Sequence, residues 1–300
     1  MKETKRTLKD HLGITLRGFL MGAADVVPGV SGGTMAFILG IYDELISSIR
    51  AVVPFVRQIF QGQWKRAFQE FPWRFLLALG VGIAAAILSL ARLLHWALET
   101  HPTLIYALFF GLIVASVFVV RQRVTRWTAG RVILGALSAV GAYLLVGLRP
   151  AQTPDALWFI FLSGMIAICA MILPGISGAF ILVLLGKYQT LLGALVQMDV
   201  LTIGVFLAGA LIGIVSFASF LRWLLDHYHD ATVVGLMGLM VGSLRELWPW
   251  KQAQYVDGVP VAVHNILPAA LDGDAVLAVA LMILGAGLVL SIESLANRKK

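Results

Sequence analysis

The sequence predicts an all-α polytopic membrane protein with an inverted-topology repeat, in which two helix regions broken by Gly and Pro meet near the bilayer midplane. This prediction rests on the composition, a series of long apolar segments, and a helix-breaking motif that occurs once in each half. Hydrophobic residues make up 59% of the 300 residues and charged residues 13%, and the mean hydropathy is +0.89. Soluble domains are roughly 45–50% apolar and about 25% charged, so the composition excludes an ordinary soluble domain.

Long apolar segments supply the predicted membrane spans. About 20 apolar residues are needed to cross a bilayer as a helix. Simple spans are predicted at 74–98, 103–120, 131–148, 201–225, 231–248 and 275–295. Two further regions, 12–49 and 156–196, are long and apolar but interrupted in the middle. Cys169 is the single cysteine and no HExxH spacing occurs, so we expect neither a metal site nor a cofactor.

The interruptions are two copies of one motif, 146 residues apart. The copies are Pro28-Gly29-Val30-Ser31-Gly32-Gly33 and Pro174-Gly175-Ile176-Ser177-Gly178-Ala179. The same offset relates Gly18 to Gly164 and Gly40 to Gly186, and a second offset of 127 relates Gly82 to Gly209 and Gly111 to Gly238. We therefore divide the chain into a first repeat, 1–149, and a second repeat, 150–300, which together form one transmembrane domain.

The change of offset places an extra stretch of about 19 residues in the first repeat. It lies within 50–72, where basic residues alternate with apolar and aromatic ones. This pattern is typical of an amphipathic segment that lies in the membrane interface.

The basic residues predict the orientation of the chain. Most of the 23 Lys and Arg residues lie at the N-terminus, in 50–74, in 121–131 and at the C-terminus. The positive-inside rule then places both termini in the cytoplasm. Each half crosses the membrane an odd number of times, so the second repeat is inverted relative to the first. Because the net charge of +7 arises from loops beside spans, we expect no nucleic-acid partner.

The repeated motif predicts an anion site. Pro28 ends the preceding helix, and Ser31 is a suitable N-cap for a helix predicted from Gly32 through Ile49. A helix N-terminus at membrane depth presents amide donors and partial positive charge, for which phosphate is a natural ligand. The inverted repeat brings a second such terminus from the opposite side. The predicted phosphate-binding residues are Gly29, Ser31, Gly32, Gly33, Thr34, Gly175, Ser177, Gly178 and Ala179.

Polar residues outside the motif are candidates for coupling to a proton or sodium ion, or for gating. An intramembrane carboxylate such as Asp25 is costly and is a functional candidate by default. The other candidates are Lys187, Tyr42, Tyr188, Arg245 and Glu246. The pattern leaves alternatives open: Lys187 either neutralises phosphate or extends to the surface, the tyrosines are equally suited to interface anchoring, and Arg245 and Glu246 fit a mutual ion pair.

The stretches PGVSGGTMAFILGIYDELI and PGISGAFILVLLGKYQTLL resemble the bacterial polyprenyl-phosphate transporter family, long catalogued as a domain of unknown function. The resemblance covers nearly the whole chain. It implies a multi-pass protein of the bacterial cytoplasmic membrane that flips undecaprenyl phosphate, the carrier lipid of cell-envelope synthesis, for reuse. Its partners are then a polyprenyl-phosphate lipid and the bilayer, and no oligomeric state is predicted.

Two other functions fit parts of the pattern. A transporter or channel for a small inorganic anion would use the same helix termini without a lipid tail. A membrane lipid-pyrophosphate phosphatase would carry a PGxSRS-type loop, but Gly32 and Gly178 stand where its arginine is expected. Without that charge, hydrolysis loses its main electrostatic contribution, so we do not expect an enzyme.

Overall fold

The computed structural model describes residues 7–27, 30–256, 259–268, 270 and 272–297, which form helices and one antiparallel hairpin. In the first half the helices are α1 Leu8–Asp25, α2 Gly32–Ile38, α3 Tyr42–Arg50, α4 Val52–Phe60, α5 Trp64–Glu70, α6 Trp73–Thr100, α7 Pro102–Arg121 and α8 Ala129–Leu145. In the second half they are α9 Leu157–Ile172, α10 Gly178–Leu184, α11 Tyr188–Val196, α12 Val200–His227, α13 His229–Leu247 and α14 Gly273–Asn297. Strands β1 Lys251–Val256 and β2 Val259–Asn265 precede α14.

The predicted all-α polytopic architecture is confirmed. The six predicted simple spans correspond to α6, α7, α8, α12, α13 and α14. Among the described helices, α6, α7, α12 and α14 are long and apolar enough to cross a membrane. The pair α10–α11, bent by 105°, brings this number to as many as five. The protein is therefore a multi-pass membrane protein, and the β1–β2 hairpin is an addition that the sequence did not predict.

Both broken regions contain a second break that the sequence analysis missed. The helix predicted from Gly32 through Ile49 ends at Ile38, and α3 begins at Tyr42. Gly40 adopts φ 71°, and its counterpart Gly186 adopts φ 65° between α10 and α11. Residues with a Cβ rarely adopt such angles, so a glycine at each position permits the chain to turn there.

The chain packs as two compact units that take corresponding parts from each half. Unit 1 comprises Met1–Ala91 and Pro150–His229, and unit 2 comprises Arg92–Arg149 and Asp230–Lys300. The repeat boundary at residue 150 describes similarity along the sequence, whereas these units describe packing. The division into two repeats stays a prediction.

In unit 1, the close glycine contacts between helices α1 and α6 have equivalents between helices α9 and α12. Gly18 lies against the backbone of Leu79, and Gly164 lies against the backbone of Phe206. The reciprocal contacts are Gly82 with Thr15 and Gly209 with Phe161. A Cβ at any of these four glycines would overlap a carbonyl oxygen, so small residues allow the helices to approach closely. The contacts follow the two sequence offsets residue by residue.

Unit 2 pairs helices from opposite halves. Helix α7 packs along α14, where Gly111 lies against Met282 and Gly285 against Leu108. Helix α8 packs along α13, where Gly238 lies against Gly135 and Gly242 against Ala139. Each half therefore contributes one helix to each of these two pairs.

Candidate functional site

The second motif copy separates α9 from α10. Helix α9 ends at Ile172, and the following turn contains Gly175 with φ 90°. Ser177 has an extended backbone and is the N-cap of α10, with its Oγ accepting from the Phe180 amide at 3.5 Å. The predicted helix start after the motif is therefore present in this copy.

The first motif copy separates α1 from α2 in the same way. Helix α1 ends at Asp25, and Ser31 is the N-cap of α2, with its Oγ accepting from the Gly33 amide at 3.1 Å. Ser31 and Thr34 are both buried. Two motif residues, Pro28 and the predicted phosphate-binding residue Gly29, lie outside the described residues.

The two broken regions meet within unit 1. The Ser31 hydroxyl donates to the carbonyl of Met171 at 2.9 Å, and Thr34 Oγ1 accepts from the amide of Gly175 at 2.8 Å. The Tyr42 hydroxyl donates to the carbonyl of Ile172 at 3.1 Å. Three side chains from the first broken region thus bind the backbone of the second. We call this set of contacts the motif junction.

Glycine at position 33 allows the close approach at the motif junction. A Cβ added to Gly33 would overlap the carbonyl oxygen of Ile172 and lie 2.9 Å from that of Met171. Real Cβ atoms are not found so close to carbonyl oxygens, so any larger residue would push the two copies apart. In the second copy Ala179 takes the equivalent place and is exposed.

Three amide donors at the start of α2, those of Gly32, Gly33 and Thr34, are already occupied. The Gly32 amide donates to Asp25 Oδ1 at 2.6 Å, and the Thr34 amide donates to the Ser31 carbonyl at 2.9 Å. The Asp25 carboxylate therefore takes the place at the start of α2 that an anionic ligand would take. Asp25 is the coupling candidate that lies nearest to the motif in the sequence, and the structure puts it in direct contact with the motif.

The amide donors of the second copy differ. Within the described part of the chain, no acceptor binds the amides of Ser177, Gly178 or Ala179. Ser177 is half-buried and Gly178 is buried beside the Ala167 carbonyl, which a Cβ at position 178 would approach to 2.8 Å. The two half-sites are thus unequal, with unpaired donors concentrated in the second copy.

Lys187 is buried and already paired. Its ammonium donates to the Thr153 carbonyl at 2.9 Å and to Asp155 Oδ1 at 2.6 Å, and it lies over the Phe159 ring. The bond from Lys187 lowers the pKa of the exposed Asp155 carboxyl below its usual range. The Thr153 hydroxyl also donates to the Leu185 carbonyl at 2.5 Å. These contacts fasten the 151–155 segment across the bend between α10 and α11.

The remaining gating candidates lie apart from the motif junction or in the other unit. Tyr188 is exposed, unlike its buried counterpart Tyr42. Arg245 and Glu246 belong to unit 2, where Arg245 donates to the Tyr143 carbonyl at 2.9 Å and Glu246 accepts from Lys251 at 3.2 Å. Arg245 and Glu246 therefore bind separate partners instead of forming the ion pair that the sequence left open.

Sequence reasoning missed a buried carboxylate in unit 2. Asp230 accepts from the hydroxyl of Thr125 at 2.7 Å, the amide of Arg126 at 3.0 Å and the guanidinium of Arg131 at 2.8 Å. These contacts hold the α7–α8 loop against the start of α13. The only sequence signal was an acidic residue at the beginning of an apolar segment, where it equally fits a solvated loop. No group of three or more His, Cys, Asp or Glu suited to a metal occurs among the residues that the structure describes.

Comparison with known proteins decides the family. A family model described as undecaprenyl phosphate translocase-like matches residues 21–260, which include both motif copies. The chain belongs to this family. Membership in the undecaprenyl phosphate translocase-like family confirms the resemblance drawn from the two motif stretches.

Two curated proteins are similar to the chain over most of its length. A polyprenyl-phosphate transporter of Vibrio cholerae serotype O1 is 41% identical over 96% of this chain and 98% of its own length. A polyprenyl-phosphate transporter of Staphylococcus aureus is 30% identical over 78% of this chain and 85% of its own length. No solved structure matches the chain.

Proposed function

We propose that the protein flips undecaprenyl phosphate across the bacterial cytoplasmic membrane and thereby recycles the carrier lipid of cell-envelope synthesis. Its family and the names of its two relatives support a polyprenyl-phosphate substrate. The observation that carries the site is the motif junction, where two repeated helix breaks meet through buried polar groups in an otherwise apolar chain. Backbone that leaves regular helix at membrane depth is tolerated only where it is buried in protein or lines a water-filled cavity, so the unpaired amides of the second copy are the ones that call for a ligand.

The phosphate-binding groups in this proposal come from both copies. The amides of Ser177, Gly178 and Ala179 supply donors that no described acceptor occupies. The hydroxyl of Ser31 and the amide of Gly32 supply donors that the substrate takes over from Met171 and Asp25. The lipid tail stays in the bilayer while the phosphate exchanges water for these protein donors.

Coupling is assigned in this proposal to Asp25. When phosphate takes the Gly32 amide, the Asp25 carboxylate loses its donor at a site where an unpaired charge is costly. Uptake of a proton or sodium ion by Asp25 would offset that cost. Among the six coupling or gating candidates, Asp25 binds the first copy at Gly32, and Tyr42 binds Ile172, two residues before the second copy.

The proposed orientation follows from the basic residues. Helix α4, helix α5 and the α7–α8 loop carry Lys and Arg and are placed on the cytoplasmic side, with both termini. The 151–155 segment and the β1–β2 hairpin are then on the outer side. This arrangement gives the two halves opposite directions in the membrane.

The proposal is tested by leaflet exchange of labelled undecaprenyl phosphate in proteoliposomes. We expect the wild type to catalyse exchange and the double variant Ser31→Ala/Ser177→Ala to lose most of it. The matched control is Ser89→Ala/Ser219→Ala, because each of these serines donates to a carbonyl four residues back in its own helix. Thermal unfolding of both variants separates loss of binding groups from loss of folding.

Failure of wild-type exchange, with and without a proton or sodium gradient, would contradict lipid flipping. Soluble-anion flux in the same vesicles would then favour a small-anion transporter. Phosphate release from a lipid pyrophosphate would instead favour a phosphatase. Equal exchange by the double variant and the wild type would contradict the site assignment alone.

A further inference from the structure

Helices α4 and α5 form a hairpin that exposes an apolar surface. Val53, Val56 and Phe60 lie on one side of α4 and are exposed, with Phe60 87% accessible. Trp64 and Phe68 of α5 are also exposed. We call this set of five residues the hairpin surface. Apolar side chains exposed along one side of a short helix are suited to burial at the boundary between headgroups and acyl chains.

Contacts between α4 and α5 hold the hairpin together. Phe55 of α4 packs edge-on against Phe68 of α5, with ring centroids 5.3 Å apart, and lies 4.7 Å from Phe71. Gln58 donates to Glu70 at 2.6 Å, which links the two helices by a polar contact. The hairpin is therefore held by internal contacts, and Phe68, which is 55% exposed, takes part both in this packing and in the hairpin surface.

Basic side chains border the hairpin surface. Arg50, Arg57 and Lys65 are exposed, and none of them forms an ion pair with another described residue. Arg66, by contrast, pairs with Glu70 at 2.7 Å. The border thus carries three uncompensated positive charges beside exposed Val, Phe and Trp side chains.

The position of the hairpin in the chain identifies its partner. Phe71 and Pro72 join it directly to α6, whose apolar segment Trp73–Leu90 is long enough to cross the membrane. At the start of that span the Arg74 guanidinium lies 5.2 Å from the centre of the Trp73 ring, and Trp and Arg are typical of the bilayer interface. The hairpin therefore lies where a membrane span enters the lipid headgroups.

We propose that the α4–α5 hairpin binds an anionic lipid surface, with the hairpin surface in the acyl boundary and Arg50, Arg57 and Lys65 on lipid phosphates. Apolar burial supplies attachment, and the basic residues supply preference for anionic headgroups. The corresponding place in the second half, between α11 and α12, holds only Gln197–Asp199. Because the repeat is proposed to be inverted, this contact acts on one side of the membrane only.

The depth of the hairpin can be measured on the full chain in proteoliposomes of phosphatidylcholine and phosphatidylglycerol. The single natural cysteine, Cys169, is replaced by Ala, and a nitroxide is attached at Phe60→Cys or, as control, at exposed Gln69→Cys. We expect the label at position 60 to be relaxed by oxygen in the acyl region. We expect the label at position 69 to be relaxed by a water-soluble nickel chelate.

Lipid preference is measured with a fluorophore at position 60 and quenchers on the headgroups of phosphatidylglycerol or phosphatidylcholine. In the Arg50→Gln/Arg57→Gln/Lys65→Gln variant the preference for phosphatidylglycerol over phosphatidylcholine should fall by a factor of about five or more. A factor of about five corresponds to the contribution of one basic residue at an anionic lipid surface. The control Arg66→Gln/Glu70→Gln removes an ion pair without changing the net charge and should keep the preference.

The two measurements test membrane attachment and lipid preference separately. A label at position 60 that remains in water in every lipid mixture would overturn membrane attachment and favour a protein partner. A label in the acyl region with no preference for phosphatidylglycerol, or with a preference that the triple variant retains, would overturn the role of the basic border. Neither outcome depends on whether the protein flips undecaprenyl phosphate.

Discussion

Replacing Asp25 by Asn separates the charge at the start of α2 from the hydrogen bond that it makes. Asn keeps an oxygen that accepts from the Gly32 amide, now 2.6 Å from Asp25 Oδ1, but carries no negative charge. Hydrogen bonds to charged groups contribute about 1.5–3 kcal/mol, and neutral ones about 0.5–1.5 kcal/mol. The substitution therefore weakens this contact by about 1–1.5 kcal/mol.

If substrate phosphate competes with Asp25 for the Gly32 amide, the weakened contact appears as tighter binding. Since 1.4 kcal/mol corresponds to a factor of ten, the Kd for undecaprenyl phosphate should fall about five- to twelvefold in Asp25→Asn. Equilibrium binding of labelled lipid to the protein in nanodiscs measures this change. The same variant should also lose the response of exchange to an imposed proton gradient.

The control for this experiment is Asp43→Asn. Asp43 lies at the start of α3 in the same unit, and its exposed carboxylate is 4.0 Å from the guanidinium of Arg222 in α12. Its removal changes the net charge by the same amount without touching the Gly32 amide. Equal affinity in Asp25→Asn and the wild type, or equal tightening in both variants, would refute direct competition between Asp25 and phosphate.

Three further predictions concern other parts of the structure. Gly178→Leu should abolish exchange while the protein still inserts into the membrane, because a Cβ at position 178 lies 2.8 Å from a carbonyl oxygen. The control Gly204→Leu should retain exchange, because a Cβ at position 204 has nothing within 4 Å. Exchange by both variants would contradict the close packing at the second copy. Asp230→Ala should lower the stability of the protein by about 1.5–3 kcal/mol, the range for a hydrogen bond to a charged group, because the Arg131 side chain left without this partner is 30% exposed and can be hydrated; an unchanged melting temperature would contradict that role. The hydrogen bond from Lys187 lowers the pKa of Asp155. The stability that this bond contributes is therefore complete above the ordinary pKa range of Asp and is lost as pH falls through the lowered pKa. Melting temperatures of Asp155→Asn should not show this loss at acid pH, and the same pH profile in the variant and the wild type would contradict the role of the bond.

Local patterns in the sequence were sufficient to predict the spans and the meeting of the motif copies. Apolar length predicts α6 and α12 directly, and the recurrence of a helix break at a fixed offset predicts that the breaks are equivalent in space. The turn at Gly40 was missed because a glycine within an apolar run is also compatible with a continuous membrane helix.

Long-range partners were beyond the reach of such patterns. Lys187 binds Asp155, which lies 32 positions earlier in the chain, and neither residue carries a spacing that points to the other. The exchange of helices between halves in unit 2 depends on which apolar surfaces fit together. Hydropathy identifies those helices but does not identify their neighbours, since lipid-facing and helix-facing surfaces are both apolar.

The cross-pairing of α7 with α14 and of α8 with α13 bears on the ancestry of the fold. A chain that carried only one half would hold one member of each pair and would leave the close glycine contact at Gly111 or Gly238 without its partner helix. Two such half-length chains, inserted in opposite directions, would each supply what the other lacks. If the repeat is inverted, as proposed, a precursor made of one half would be complete only as a homodimer of dual topology, and gene fusion would convert its intersubunit contacts into contacts within one polypeptide.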